Sequence, residues 1–261
     1  MLSISALNAH IKRILAGVFL ALSISIAGQA EPAQERLRIF AAASLTDVLR
    51  DLELVWRQET GSLQAQISFA ASAVLARQIQ SGAPVDVFLS ANRQWVDHLT
   101  TPGKMAPRAQ PVVHNSIVLA APCSNQQNEL PASQLESFLS SSRFAMADPA
   151  VAPLGAYAKS YLEGAGIWSS ISKNATYAGN ARLSLLLIER GGLPGFVYGS
   201  DAHASQNTCI LLDLPISPKE RVTYYSVADS ANQTATAFAQ WLRSENAMKI
   251  WETHGFQPVS K

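Results

Sequence analysis

The chain has 261 residues, 48% of them hydrophobic, and its 20 basic and 19 acidic side chains leave a formal net charge of +1. Such a balance gives no electrostatic footprint for nucleic acid or an anionic membrane surface. The length exceeds the usual size of one domain, so two lobes with real cores are expected.

In chain order, His10, Lys12 and Arg13 precede the apolar run Ile14 to Ile26, which closes on Gly28-Gln29-Ala30. That is the order of a secretory signal peptide over residues 1–30. The run is too short for a stable membrane span, and the segment has no Cys to carry a lipid anchor. A free periplasmic protein, with no membrane insertion, is the expectation. Removing residues 1–30 takes away two basic side chains and no acidic one, leaving 18 against 19 and a net charge of −1.

Short β-rich runs then alternate with helical patterns: Leu37 to Ala41, Leu63 to Phe69, Val85 to Leu89, Arg143 to Ala147, Ala175 to Ala178 and Gly195 to Tyr198. This alternation predicts an α/β protein whose lobes hold mainly parallel sheets flanked by helices. After the first run, Leu45, Val48, Leu49, Leu52, Val55 and Trp56 fall on one helical face. Ser44 just ahead, with Asp47 three residues on, reads as an N-cap with a weak capping box.

Two proline-bearing loops, Pro102 to Pro111 and Leu214 to Pro218, each precede a strand-like run, Val112 to Ala121 and Arg221 to Ala228. These runs are read as two crossings between lobes. The first lobe would hold residues 31–113 and 228–261, and the second, 114–227, would be inserted between, an order suited to hinge closure. Phe238, Trp241 and Leu242, then Ala247, Ile250 and Trp251, predict two C-terminal helices packed back on the first lobe. Cys123 and Cys209 could bridge in an oxidising compartment or stay as two buried thiols.

Four strand-to-helix junctions share one chemistry. They are Ala41-Ala42-Ala43-Ser44, Ala70-Ala71-Ser72-Ala73, Val151-Ala152-Pro153-Leu154-Gly155 and Gly179-Asn180-Ala181. Small side chains leave the first helical N–H groups uncovered, and those groups have no intrahelical partner. Ser44 and Ser72 add hydroxyls, Pro153 suits a first helical turn, and Asn180 is a good N-cap. One such junction is ordinary capping. Four of them, aimed at a cleft between lobes, would cradle one small anion. No acid lies in these stretches, so a fully deprotonated oxyanion fits them best.

Phe40-Ala-Ala-Ala-Ser-Leu45, Phe69-Ala-Ala-Ser-Ala-Val-Leu-Ala-Arg-Gln78, Gly82-Ala-Pro-Val-Asp86, Asp148-Pro149 with Gly155-Ala-Tyr-Ala-Lys159, and Val197-Tyr-Gly-Ser-Asp-Ala202 together resemble the periplasmic molybdate-binding proteins of bacterial ABC transporters. The resemblance implies a two-lobed type II periplasmic binding protein fold with the ligand cleft between lobes. It implies molybdate or tungstate as ligand, no cofactor, no direct cation ligands, and no catalysis. Carried over by position, Ser44 and Ser72 would bind through hydroxyl and backbone N–H, Leu154 and Ala181 through backbone N–H, and Tyr198 through its phenol. Leu154 stands where relatives often have a smaller residue, and Ala181 is aligned mainly through Leu187-Ile-Glu-Arg190. The implied partners are a membrane permease with its ATPase, and the receptor is expected to be a monomer.

Three other readings compete. Ser44 or Ser72 could be the nucleophile of a hydrolase, but the chain has no Gly-x-Ser-x-Gly elbow, and His98, His114, His203 and His254 show no local catalytic signature. Asp201 and His203 are two candidate cation ligands, too few for a site. Sulfate shares the charge and shape of molybdate, and donor chemistry alone does not reject it. Arg77 and Arg182 are read as solvated helix charges, and Met105, Met146 and Met248 as packing residues.

Overall fold

A computed structural model describes residues 36–99, 109–123, 129–217 and 220–259. The expected leader at 1–30, most of the loop 102–111 with Met105, and Pro218 lie outside these residues. The chain first lays down β1 (Arg38–Ala42), α1 (Thr46–Thr60), β2 (Gln66–Ala70), α2 (Ser72–Gln80), β3 (Val87–Ser90), α3 (Arg93–Asp97) and β4 (Gln110–Asn115). It continues through β5 (Ile117–Pro122), α4 (Leu135–Ser141), β6 (Phe144–Ala147), α5 (Pro153–Gly164), α6 (Trp168–Ile171) and β7 (Ala175–Ala178). Next come α7 (Ala181–Glu189), β8 (Gly195–Tyr198), α8 (Gly199–Ala204) and β9 (Thr208–Asp213). It closes with β10 (Val222–Ala228), α9 (Gln233–Trp241), α10 (Glu245–Thr253) and β11 (Gln257–Pro258).

These strands form two sheets, ordered β11-β4-β10-β3-β1-β2 and β7-β6-β8-β5-β9, each the floor of one lobe. Within each sheet, the strands that alternate with helices run parallel, β2-β1-β3 and β7-β6-β8. The crossing strands β4, β5 and β10, with β9 and β11, pair antiparallel. The sheets are therefore mixed where the alternation predicted mainly parallel pairing, because a strand entering from the other lobe needs no helical crossover. The single run read as Val112 to Ala121 is two strands broken at Ser116, one in each sheet. Sheet membership divides the chain at Ser116 and again between Asp213 and Val222. All of β10 thus lies with the first sheet, where the sequence reading had set only its last residue.

The predicted helical face is the buried face of α1: Leu45, Leu49 and Leu52 are fully buried, as is Val48, with Trp56 nearly so. Each such side chain contributes roughly 1.5–3 kcal/mol by leaving water. Trp56 packs edge-on against Phe238 at 5.5 Å and meets Trp241 at 5.6 Å, which ties the C-terminal helices to the first lobe. Asp86, from the Gly82-to-Asp86 motif, is a brace within that lobe. Burial alone would raise its carboxyl pKa, but bonds from the Arg38 guanidinium and backbone N–H, with Asn232, hold it below the usual range. Cys123 and Cys209 form a disulfide joining the ends of β5 and β9.

Candidate functional site

Strand register sets the position of the four junctions. The parallel pair β1 and β2 ends on Ala42 opposite Ala70, and β6 and β7 end on Ala147 opposite Ala178. Helix starts one strand apart therefore stand side by side in each lobe. The turn Ala43–Leu45 of the first lobe packs against α7 of the second, so the lobes face each other across these ends. One cavity of about 10 Å³ lies between them. That is far below the roughly 300–1,000 Å³ of pockets for drug-sized ligands, so its occupant is small.

Ser44, Ser72, Leu154, Ala181 and Tyr198 all line this cavity, with the Asn180 cap beside them. Between them lie Ala42, Ala43, Ala70, Ala71, Ala91 and Ala152, whose small side chains leave the backbone within reach. No charged side chain is among the lining groups described.

Each donor has a local cause. Pro153 opens α5 and carries no N–H, so the first free N–H of that helix belongs to Leu154. Only glycine fits at 155, because a Cβ there would fall on the Ala147 carbonyl; that close approach brings the start of α5 onto the end of β6. In α7, Asn180 Oδ1 accepts from Leu183 N at 3.0 Å, as expected of a cap. Its first two N–H groups, on Ala181 and Arg182, are left over by position. Ser72 opens α2, and its Oγ accepts from Ala91 N at 3.2 Å, which leaves the hydroxyl proton free to donate.

Tyr198, at the end of β8, is 1% exposed, and its hydroxyl has no hydrogen-bond partner of accepted geometry. Its pKa is pushed well above the ordinary value by burial first, then by Tyr224, Tyr157 and Asp201; the nearby Tyr224 hydroxyl adds to the rise. The group is therefore a neutral donor at any physiological pH, and an unpaired buried donor costs about 1–3 kcal/mol until something accepts from it.

Ser44 departs from its expected local role. Residues 43–45 form a 3-10 turn with no side-chain cap, and Ser44 Oγ lies 2.7 Å from the Tyr224 hydroxyl instead. The tight turn carries the serine past the capping position. Asp47, the expected partner in a capping box, turns away to Arg182 Nη2 at 2.7 Å. Arg182, read as a solvated charge, is thus an ion-pair centre that also meets buried Asp201 at 3.2 Å. Arg77 stays exposed, over the Trp95 ring at 6.0 Å. His203 is exposed while Asp201 is buried, and no group of three candidate metal ligands occurs among the described residues.

Sequence reasoning missed Tyr224 and Asn115. Asn115 ends β4 beside the Ser116 break; its Nδ2 donates to Ser200 Oγ at 2.8 Å and lies 3.5 Å from the Tyr224 oxygen. When Tyr224 accepts there and donates to Ser44, the Ser44 proton is free to face the cavity. The polar pair Asn115-Ser116, interrupting an apolar run, was the available signal. Nothing in the sequence singled out Tyr224 from Tyr225.

Two mixed sheets flanked by helices, with four helix starts and a buried phenol around one small cavity between lobes, define a two-lobed solute-binding fold. The chain belongs to a family described as bacterial extracellular solute-binding protein, whose model matches residues 37–257. It is 35% identical over 243 residues to the molybdate-binding protein ModA of Escherichia coli (strain K12), covering 90% of this chain and 94% of that one. Its fold superposes on the periplasmic molybdate-binding protein of Azotobacter vinelandii with a TM-score of 0.73 at 18% identity, covering 86% of this chain and 100% of that one. The sulfate-binding protein SubI of Mycobacterium tuberculosis H37Rv gives 0.69 at 14%, covering 86% and 87%. At these identities the superpositions speak for the fold alone.

Proposed function

We propose that the protein is a periplasmic receptor that captures molybdate, or tungstate, and hands it to the permease of an ABC importer. The observation that carries this reading is the donor set: Ser44 and Ser72 from one lobe, Leu154, Ala181 and Tyr198 from the other, around one uncharged cavity. The extended relative from Escherichia coli, itself named a molybdate-binding protein, supplies the metal. A relative from Bacillus subtilis (strain 168), 28% identical over 225 residues and named a putative ABC transporter substrate-binding lipoprotein, supports the importer.

A deprotonated tetrahedral oxyanion offers acceptors on every oxygen and needs none in return. Charge-assisted hydrogen bonds contribute roughly 1.5–3 kcal/mol each, against the lost hydration of the ion and the cost of closing the lobes. Because both lobes supply donors, the bound ion favours the closed form. Secretion through residues 1–30 and action as a monomer belong to the same reading. The partners of the two serines, Tyr224 and Ala91 N, suit orientation of donors better than activation of a nucleophile.

Sulfate is the second reading, because it shares the charge and tetrahedral shape of molybdate and the same neutral donors would serve it. Tryptophan fluorescence or thermal shift against molybdate, tungstate, sulfate and phosphate separates them. The expected result is a saturable response to molybdate or tungstate at concentrations where sulfate gives little. A response to sulfate alone overturns the metal; silence to every ion, in folded ligand-free protein, overturns the receptor.

A further inference from the structure

We propose that Arg182 is a closure latch, joining Asp47 of the first lobe to Asp201 of the second and so setting how fast a bound anion is released. The inference rests on the receptor reading above, and it adds a positioning residue that touches no ligand.

The geometry is specific. Arg182 is the second residue of α7, directly after the Ala181 donor, and Asp47 lies in the first turn of α1, three residues after Ser44. Arg182 Nη2 is 2.7 Å from Asp47 Oδ2 across the cleft, and its Nε is 3.2 Å from Asp201 Oδ1 within its own lobe. The Asp201 side chain is fully buried, and neither carboxylate oxygen has a hydrogen-bond partner. Its compensation is therefore the charge of Arg182. Burial raises its pKa to about 7, with Arg182 opposing the rise and Asp47 and Glu189 adding to it.

A guanidinium held by a buried carboxylate is not a free surface side chain. Its Nε faces Asp201 while its Nη2 meets Asp47. The forked shape is needed, since two carboxylates are met through two different nitrogens of one planar group, Nε and Nη2. A second small cavity, lined by Ser44, Asp47, Arg182, Ser200, His254 and Phe256, adjoins the pair, so Ser44 borders both spaces. His254 there is itself paired with Asp51 at 2.8 Å.

Opening the lobes separates Asp47 from Arg182 and leaves Arg182–Asp201 whole. The latch therefore acts on the closed state alone. An exposed ion pair contributes little, about 0.2–1 kcal/mol, and Asp47 is 45% exposed. The expected effect is correspondingly modest and falls on release, where most affinity differences between related complexes lie.

The test is stopped-flow release of molybdate from the full mature chain, wild type against Asp47→Asn and Arg182→Lys. Asp47→Asn removes the cross-cleft arm and leaves the buried pair intact. Arg182→Lys keeps the charge for Asp201 but lacks the fork. Both are expected to release molybdate faster, by up to about five-fold, with association unchanged and the ligand-free Tm of Asp47→Asn unaltered. The ratio of variant to wild-type release should fall towards one as salt rises, since screening weakens the wild-type pair; a merely structural defect would not show that trend. Wild-type binding with unchanged release in Asp47→Asn overturns the latch and leaves the receptor standing. Absence of molybdate binding by the wild type, with a response to sulfate alone, overturns the metal, and sulfate release then decides the latch by the same ratio. Absence of any oxyanion response overturns both.

Discussion

The Tyr224 hydroxyl lies 2.7 Å from Ser44 Oγ, both groups buried, and links a cavity-lining donor to the strand that returns from the second lobe. Burial, the largest cause, holds the Tyr224 pKa far above the ordinary value, so the group stays a neutral hydroxyl. Tyr224→Phe keeps the ring against Tyr198 and Phe256 and deletes only the hydroxyl. Molybdate affinity is expected to drop by about 1 kcal/mol, roughly five-fold, because Ser44 loses its orienting partner. Titration calorimetry checks this, and an unchanged affinity would show that Ser44 orients itself.

The donors that face the cavity should matter more. Ser44→Ala and Ser72→Ala are each expected to weaken binding by roughly 1–3 kcal/mol. Tyr198→Phe should weaken binding similarly while leaving the ligand-free protein as stable or more so. Its hydroxyl is buried with no protein partner of accepted geometry, so deleting it costs the fold no hydrogen bond. Measuring both Tm and affinity separates this from simple loss of packing.

The pH dependence of stability should carry the mark of Asp201. Its folded pKa, raised to about 7 by burial first, stands above the ordinary 3.8. Between those values the folded protein retains a proton that the unfolded chain has released, so stability falls as pH rises through that window. Urea midpoints at pH 5 and pH 8 should show the wild type losing stability relative to Asp201→Asn. Parallel pH curves for the two proteins would mean that Asp201 is ionised throughout.

The disulfide should be separable from the site. Antiparallel pairing sets Ile117 opposite Tyr198 at the cavity end of β5, and Cys123 follows the other end of the strand. Six residues of strand span about 20 Å. Cys209→Ser should cost about 2–4 kcal/mol of stability, with affinity held within about two-fold because the two places are distant. A larger loss of affinity would tie the far edge of this sheet to closure.

The four helix starts were legible because each rests on local chemistry: small residues, a serine, a proline at the first turn, an asparagine cap. The buried face of α1 was legible from its spacing. What escaped depends on residues distant in sequence. Ser44 turns from a capping role because Tyr224, 180 positions on, supplies a closer partner. Arg182 looked solvated because Asp201 reaches it only when the second lobe folds, and Asp47 only when the two lobes meet. Strand β9 carries Thr208 and Leu211 inward with Ile210 outward, a pattern spoiled by a bulge opposite Leu119 and Ala120. Strand β11 has two residues, too few for any period.

The paired strand ends, Ala42 with Ala70 and Ala147 with Ala178, make each lobe a fixed gauge. Neighbouring strands sit about 4.8 Å apart whatever the side chains, so the spacing between two helix starts on one lobe does not adjust to the ion. Only the gap between the lobes does. On the proposed reading, ionic radius would then be measured as with a caliper, by how far the jaws travel before every donor is met. An ion too small for the fixed spacing leaves donors unmet on one jaw at any degree of closure.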